Sequence, residues 1–150
     1  MVDFHAHILP RLDDGASSLE ESLSMLRKER ENGVVKVVAT PHFYADKDNP
    51  ASFLKARERS YQRLLDEMAK YEDEQFPEII LGAEVAYFEG ISDCEELPLF
   101  NIQGTKLILL EMPAIKWNER MIAEVVAIHE KTGLIPVIAH IDRYIKVFNN

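Results

Sequence analysis

Cysteine is nearly absent from the chain: Cys94 is the one cysteine in 150 residues. An internal disulfide and a cysteine-built zinc cluster are therefore excluded. Positive charge is also scarce. Seventeen Lys and Arg face 26 Asp and Glu, for a net charge of −9, which disfavours nonspecific binding to nucleic acid or to an anionic membrane. No apolar run reaches the length of a membrane span, and no basic segment followed by an apolar stretch opens the chain. No membrane insertion is expected, and the cytoplasm is the expected location. Internal repeats, low-complexity stretches and Pro- or Ser-rich linkers are missing as well, so residues 1–150 read as one domain.

What is present is an alternation of strand-like and helix-like segments. Val2–Ile8 reads as a strand. Ser17 with Glu20, or Ser18 with Glu21, then forms a capping box for a helix that buries Leu19, Leu23 and Leu26, with Met25 widening the stripe and Gly33 ending it. The β-branched run VVKVVAT (34–40) predicts a buried strand stopped by Pro41. A polar helix is predicted from Ser52 to Tyr71, a third strand at EIILGAE (78–84), and an irregular active-site loop over 85–104. KLILLEM (106–112) predicts the fourth strand. The helix from Asn118 to Lys131 is predicted to turn Ile122, Val125, Val126 and His129 toward one face, with Gly133 as its cap. LIPVIAH (134–140) is the fifth strand, and DRYIKVF closes the chain as a turn or short helix. Strands alternating with helices imply a parallel sheet.

The reactive side chains collect at the strand ends. His5 and His7 close the first strand, His42 follows the second, Glu84 ends the third, Glu111 the fourth and His140 the fifth. In parallel α/β folds these ends share one face, where ligands bind. A His-x-His pair on a strand aims both rings to the same side. Glu111 follows the apolar run LILL, where an unpaired carboxylate is costly. Taken singly, His-x-His is a weak signal and Asp13–Asp14–Gly15 is an ordinary turn. Together at successive strand ends they read as a metal site, and a mixed His and carboxylate set suits Mn, Fe or Zn. His129, inside a helix, is assigned to structure, and so is Cys94.

The stretches DFHAHILPRLDDGASSLEES, ATPHF, GAE, LLEMP and PVIAHIDRY resemble the PHP (polymerase and histidinol phosphatase) superfamily, and within it the bacterial manganese-dependent protein-tyrosine phosphatases of capsule and exopolysaccharide control. The resemblance spans the whole chain. It implies an α/β fold of the PHP type, a distorted (β/α) barrel, here incomplete with about five parallel strands. It implies a centre of up to three divalent ions, manganese first, with iron or zinc as alternatives. By motif position His5, His7, Asp14, His42, Glu84, Glu111 and His140 are the metal ligands, and Arg143 binds the substrate phosphate. The implied substrate is a phosphotyrosine protein, a bacterial tyrosine kinase.

Two departures from the family pattern are visible. Ile141 and Asp142 stand where the family carries Pro-Glu, and the late Asp-x-His pair and the strands around it are missing. The chain is therefore expected to be the N-terminal portion of a PHP domain, to leave apolar strand edges open for self-association, and to turn over weakly or not at all by itself.

The implied chemistry is attack on phosphorus by metal-activated hydroxide. Phenolate, with a pKa of about 10, leaves with little acid help, which Asp142 or a metal-bound water is expected to give. A thiolate route needs an arginine six residues after the cysteine, and Phe100 occupies that position. Amidohydrolase-type and histidinol phosphatase activities are the enzymatic rivals. A catalytically inactive metal-binding or oligomerising module is the non-enzymatic one.

Overall fold

The computed structural model describes residues 1–148. Five stretches of chain build one parallel sheet wall, bent into two segments. β1 (Val2–Ala6) pairs with β2 (Lys36–Ala39), and β2 with β4 (Glu78–Leu81). Pro41 lacks an N–H and interrupts the second stretch, which resumes as β3 (His42–Phe43). The third resumes after Gly82–Ala83 as β5 (Glu84–Ala86). β3 pairs with β5, β5 with β6 (Leu107–Glu111), and β6 with β7 (Ile135–Ile138). Counted by stretch of chain, each lies beside its predecessor in sequence and every pair is parallel; the hydrogen bonding falls into two sheets, β1-β2-β4 and β3-β5-β6-β7, with β1 and β7 at the two ends of the wall among the described residues. This serial order is that of a (β/α) barrel wall, as expected from the sequence.

Four helices connect and cover the wall. α1 (Leu19–Glu31) starts at Ser18, whose side chain accepts the Glu21 N–H, while Glu21 accepts from Ser17. α2 (Pro50–Met68) starts two residues before the expected Ser52. Asn49 caps it by accepting from Ser52 N, and Pro50 occupies the first turn, where no donor is needed. α3 (Glu119–Thr132) is capped by Asn118 and stopped by Gly133, whose φ of 73° closes the helix in the left-handed region. α4 (Ile141–Phe148) follows β7 directly. Under the first half of the sheet, Leu23, Leu26 and Leu64 pack against Val37, Ala39 and Leu81. Under the second half, Phe43, Phe100, Leu110, Met121, Ile128 and Tyr144 form a second core.

Two expectations are corrected here. Residues 85–104 are not an open loop. After β5 they form two 3-10 turns, Ile91–Asp93 and Leu97–Phe100, which bury Ile91, Leu97 and Phe100 completely. Phe100 stacks on Phe43 at 4.3 Å between centroids and meets Phe53 edge-on, so the segment acts as a plug under the sheet. On α3, Met121, Val125 and Ile128 face the core, whereas Ile122 and Val126 are 49% and 55% exposed. Both sets have helical spacing. The choice between them is made by Glu124, which accepts from the Tyr87 hydroxyl and Gly90 N and so turns its own face inward.

The orientation of α3 yields a direct test. Ile128→Ala is expected to cost about 2–5 kcal/mol, whereas Ile122→Ala stays within about 0.5 kcal/mol of the parent. Urea denaturation midpoints of the two variants check this, and equal losses would refute the orientation.

Candidate metal centre

Glu84 lies at the middle of the rim, with no exposed surface. The β3–β5 register sets His42 directly beside it, and the β5–β6 register sets Glu111 beside Ala86, two residues on. His5 arrives on β1 and His7 just past the strand's end. His140 arrives in the two-residue turn between β7 and α4, with φ of 51°. A non-glycine residue is uncommon in that region. Here it lets the chain reverse from strand to helix while the imidazole returns to the rim.

Four imidazoles converge on the one carboxylate. Glu84 Oε2 lies 3.0 Å from His5 Nε2, 3.1 Å from His7 Nε2 and 3.2 Å from His42 Nδ1, while Oε1 lies 3.0 Å from His140 Nε2. Glu111 Oε2 is 3.8 Å from His42 Nδ1, and Asp14 Oδ1 is 3.4 Å from His42 Nε2. Arg143 Nη1 donates to Glu111 Oε1 at 3.2 Å. His7, Asp14, Gly15, His42, Tyr44, Glu111, His140 and Arg143 line one cleft of about 400 Å³.

Asp13, which sequence reasoning left in a turn, organises the loop. It is almost fully buried and accepts from His7 Nδ1 at 2.7 Å, from His42 N and from Gly15 N. Burial opposes its charge, but these donors hold the carboxyl below the usual carboxylate range. Its signal was the Asp-Asp-Gly itself. A methyl group on Gly15 would collide with the backbone oxygen and Cβ of His7, so only glycine lets Asp13 fold back under the ring. Asp14 is the exposed member of the pair.

Asp142, expected to assist the leaving group, is exposed on the first turn of α4 and is not among the residues lining the cleft. Neighbours on a helix diverge by about 100°, so with Arg143 toward the cleft Asp142 turns away. His129 stays outside the site, its Nδ1 3.0 Å from the Leu134 carbonyl. Cys94 is half-buried near Glu96, and burial pushes its thiol up.

The arrangement is electrostatically incomplete without a cation. A carboxylate only accepts, so His7 Nδ1 carries the proton given to Asp13. A neutral His7 would then turn its Nε2 lone pair onto Glu84 Oε2, and onto His5 Nε2 3.1 Å away. Protonation is one resolution. Burial disfavours charge on His7, but the bonds and charges of Asp13 and Glu84 prevail and lift its pKa from 6.5 to about 10. The same imidazoles overcome burial at Glu84 and depress its carboxyl far below the usual range. His42 Nδ1 and Glu84 Oε1 remain buried without a well-formed hydrogen bond.

A bound cation is the other resolution. Three overlapping donor groups have their atoms within 4.8 Å of one another: His7 with Asp13, Asp14 and His42; His5 with His7 and Glu84; His42 with Glu84 and Glu111. First-row metals bind N and O donors at about 2.0–2.2 Å, which sets neighbouring donors roughly 3 Å apart. The residues present thus fit divalent metal.

Comparison with known proteins agrees. The family model described as "Capsular polysaccharide synthesis, CpsB/CapC" matches residues 1–150. Tyrosine-protein phosphatase YwqE of Bacillus subtilis (strain 168) is 31% identical over 157 residues, covering 100% of this chain and 58% of that protein. Tyrosine-protein phosphatase CpsB of Streptococcus pneumoniae is 29% identical over 157 residues, with 100% and 60% covered. A chain from the crystal structures of YwqE and CpsB, "unique metal-dependent tyrosine phosphatases", superposes with a TM-score of 0.77 at 29% identity, covering 100% of this chain and 59% of that one. The chain thus spans about three fifths of the length of the relatives it matches.

The charges and the loop set three expected outcomes. His7, raised above its unfolded value, stabilises fully below pH 6.5 and loses that contribution as pH climbs through about 10. Glu84, depressed, stabilises above about pH 4.5 and loses its contribution as pH falls below that value. Metal-free protein is therefore expected to be most stable between those limits. A divalent cation at these donors must displace the His7 proton, so the gap in melting temperature between protein with added manganese and chelated protein is expected to widen from pH 5.5 to 8. A gap independent of pH contradicts this. Gly15→Ala is expected to abolish manganese binding in equilibrium dialysis while the far-UV spectrum stays helical.

Proposed function

This chain belongs to the CpsB/CapC family of capsular polysaccharide synthesis, and from that membership we propose that its cleft holds divalent cations and hydrolyses phosphotyrosine esters in proteins. The observation that carries the reading is the gathering of His5, His7, His42 and His140 around the buried Glu84 carboxylate. His5, His7, Asp14, His42, Glu84, Glu111 and His140 are the proposed ligands. Manganese is the proposed metal, with iron or zinc able to replace it, and the three overlapping donor groups support up to three ions. When bound, such cations supply Lewis acidity that offsets phosphoryl charge and lowers the pKa of water.

The chain's own residues supply position and charge. Arg143 is the proposed phosphate binder. Its guanidinium is held at the cleft by Glu111 and presents further donors matched to phosphoryl oxygens. Asp13 fixes the tautomer and tilt of His7. Glu111 works in two directions, holding Arg143 with one oxygen and facing His42 with the other. A phenol with a pKa of about 10 departs with little protonation, so the cleft does not require an acid in the place expected of Asp142.

The proposed substrate is a phosphotyrosine protein, a bacterial tyrosine kinase, met in the cytoplasm during capsule or exopolysaccharide control. No helix among the described residues is long and apolar enough to cross a membrane. Exposed Val2 and Ile135 on the outer strands support association of chains edge to edge.

Phosphate release from a phosphotyrosine peptide, expected to be weak for this chain by itself and therefore read in a single turnover with protein in excess, tests the reading. It is expected to need manganese, to stop on chelation, and to fall about 10²-fold in Arg143→Ala, with Arg143→Lys between the two. Release indifferent to chelator, or cleavage of an amide or lactone in place of the aryl phosphate, overturns it.

A further inference from the structure

Beside the metal cleft lies a larger one of about 660 Å³ that the ligand set does not explain. The two share Asp14, His42 and Tyr44. Beyond Tyr44 the larger cleft runs between the Asp13–Asp14 loop and the start of α2, past Leu12, Phe53, Lys47 and Ser52. Tyr44 is thus the common wall, and the one benzene ring bordering the metal cleft, opposite in kind to the guanidinium of Arg143.

Tyr44 is held firmly. Its ring stacks on His42 at 5.3 Å between centroids and 25° between planes. Its backbone N–H donates to Asp48 Oδ2 at 2.8 Å, and its carbonyl accepts from Lys47 N and Asp48 N, closing a tight turn. That turn carries the Lys47 ammonium to 4.8 Å from the Tyr44 ring centroid. A half-buried aromatic ring, stacked on His42, fixed by a turn and flanked by an exposed cation, is a recognition surface at the edge of the metal cleft.

We propose that Tyr44 determines specificity, forming the wall against which the aromatic ring of an aryl phosphate rests, while the 660 Å³ cleft receives the flanking polypeptide and Lys47 meets acidic side chains on it. This deepens the phosphotyrosine reading and rests on it. An alkyl phosphate, as on a phosphorylated serine, reaches the same cations and Arg143 but leaves the Tyr44 wall uncovered. Selection for aryl esters then has two sources: phenolate leaves readily, and its ring is bound before it leaves.

Binding separates the second source from the first. The manganese-loaded chain is titrated calorimetrically with phenylphosphonate and with methylphosphonate, neither of which can be hydrolysed. The phenyl compound is expected to bind tighter by several-fold, on the order of 2–10-fold for one aromatic pair. Tyr44→Phe keeps that preference. Tyr44→Ala brings the ratio of the two affinities to about one-fold, the phenyl compound losing its advantage over the methyl one. Tyr44→Leu keeps bulk against His42 and is expected to lose the preference too, so a variant that fails to fold does not protect the idea. Lys47→Ala weakens a phosphotyrosine peptide with acidic flanks but leaves phenylphosphonate unaffected. Equal binding of the two phosphonates by the parent chain, or a preference that survives in Tyr44→Leu, overturns the assignment of Tyr44 and leaves the phosphatase reading standing. Failure of either phosphonate to bind the manganese-loaded chain overturns both.

Discussion

A fully buried carboxylate facing four imidazoles is the constraint from which the rest of this structure follows. Glu84 cannot be taken out of water uncompensated, since an isolated buried charge costs several kcal/mol or more. Each compensating ring comes from a different part of the chain: the first strand, the stretch just past it, the third strand and the turn before the last helix. The fold must therefore close its sheet in serial order before Glu84 can be buried at all. Two apolar cores below the rim make this affordable. Phe43 adjoins His42, Val85 adjoins Glu84 and Leu110 adjoins Glu111, and all three are completely buried. Each functional side chain is thus anchored by a neighbour that has no freedom to move.

The strain of the arrangement is concentrated at the rim. His140 adopts a left-handed backbone, Gly15 fits only because it has no side chain, and the ring nitrogens of His5 and His7 face each other at 3.1 Å. Protons relieve the crowding when no cation is present, which is why His7 is held so basic. The same lone pairs accept a cation equally well. Proton and metal are thus competing answers to one electrostatic problem, and affinity for the metal is tied to pH by construction.

Much of this was legible in the sequence, and the illegible parts share a cause. The five strand-forming stretches are visible as apolar and β-branched runs, and His5, His7, Glu111 and His140 stand at or just past strand ends. His42 and Glu84 do not end strands; they open β3 and β5 after the breaks at Pro41 and Gly82–Ala83, breaks that composition does not reveal, and the role of Glu84 as hub is hidden with them. Asp13 and Asp14 are adjacent and chemically alike, and only the turn decides that Asp13 is buried beneath His7 while Asp14 stays exposed. Asp142 was misjudged for a related reason: adjacency to Arg143 in sequence is divergence on a helix. The face of α3 is ambiguous in sequence because Met121, Val125 and Ile128 compete with Ile122 and Val126 at the same helical spacing, and a polar contact from Glu124 chooses between them. Periodicity reads elements well, but it does not read which of two equivalent faces a distant partner will claim.

Among the described residues no cysteine, serine or threonine lines the metal cleft, which fits the proposed chemistry. Cys94 closes the first 3-10 turn, its thiol raised by burial. A chain with a net charge of −9 would repel a phosphorylated substrate unless its cleft reversed the local sign. Arg143 and Lys47 supply two positive charges at the edges of the two adjoining clefts, and Glu111 neutralises part of the first. The remaining reversal must come from cations held by the carboxylates themselves. On the proposed reading, the acidity that disfavours nucleic acid at the surface is compatible with phosphate in the cleft when the ligand set is loaded, so that metal occupancy would serve phosphate binding as well as chemistry.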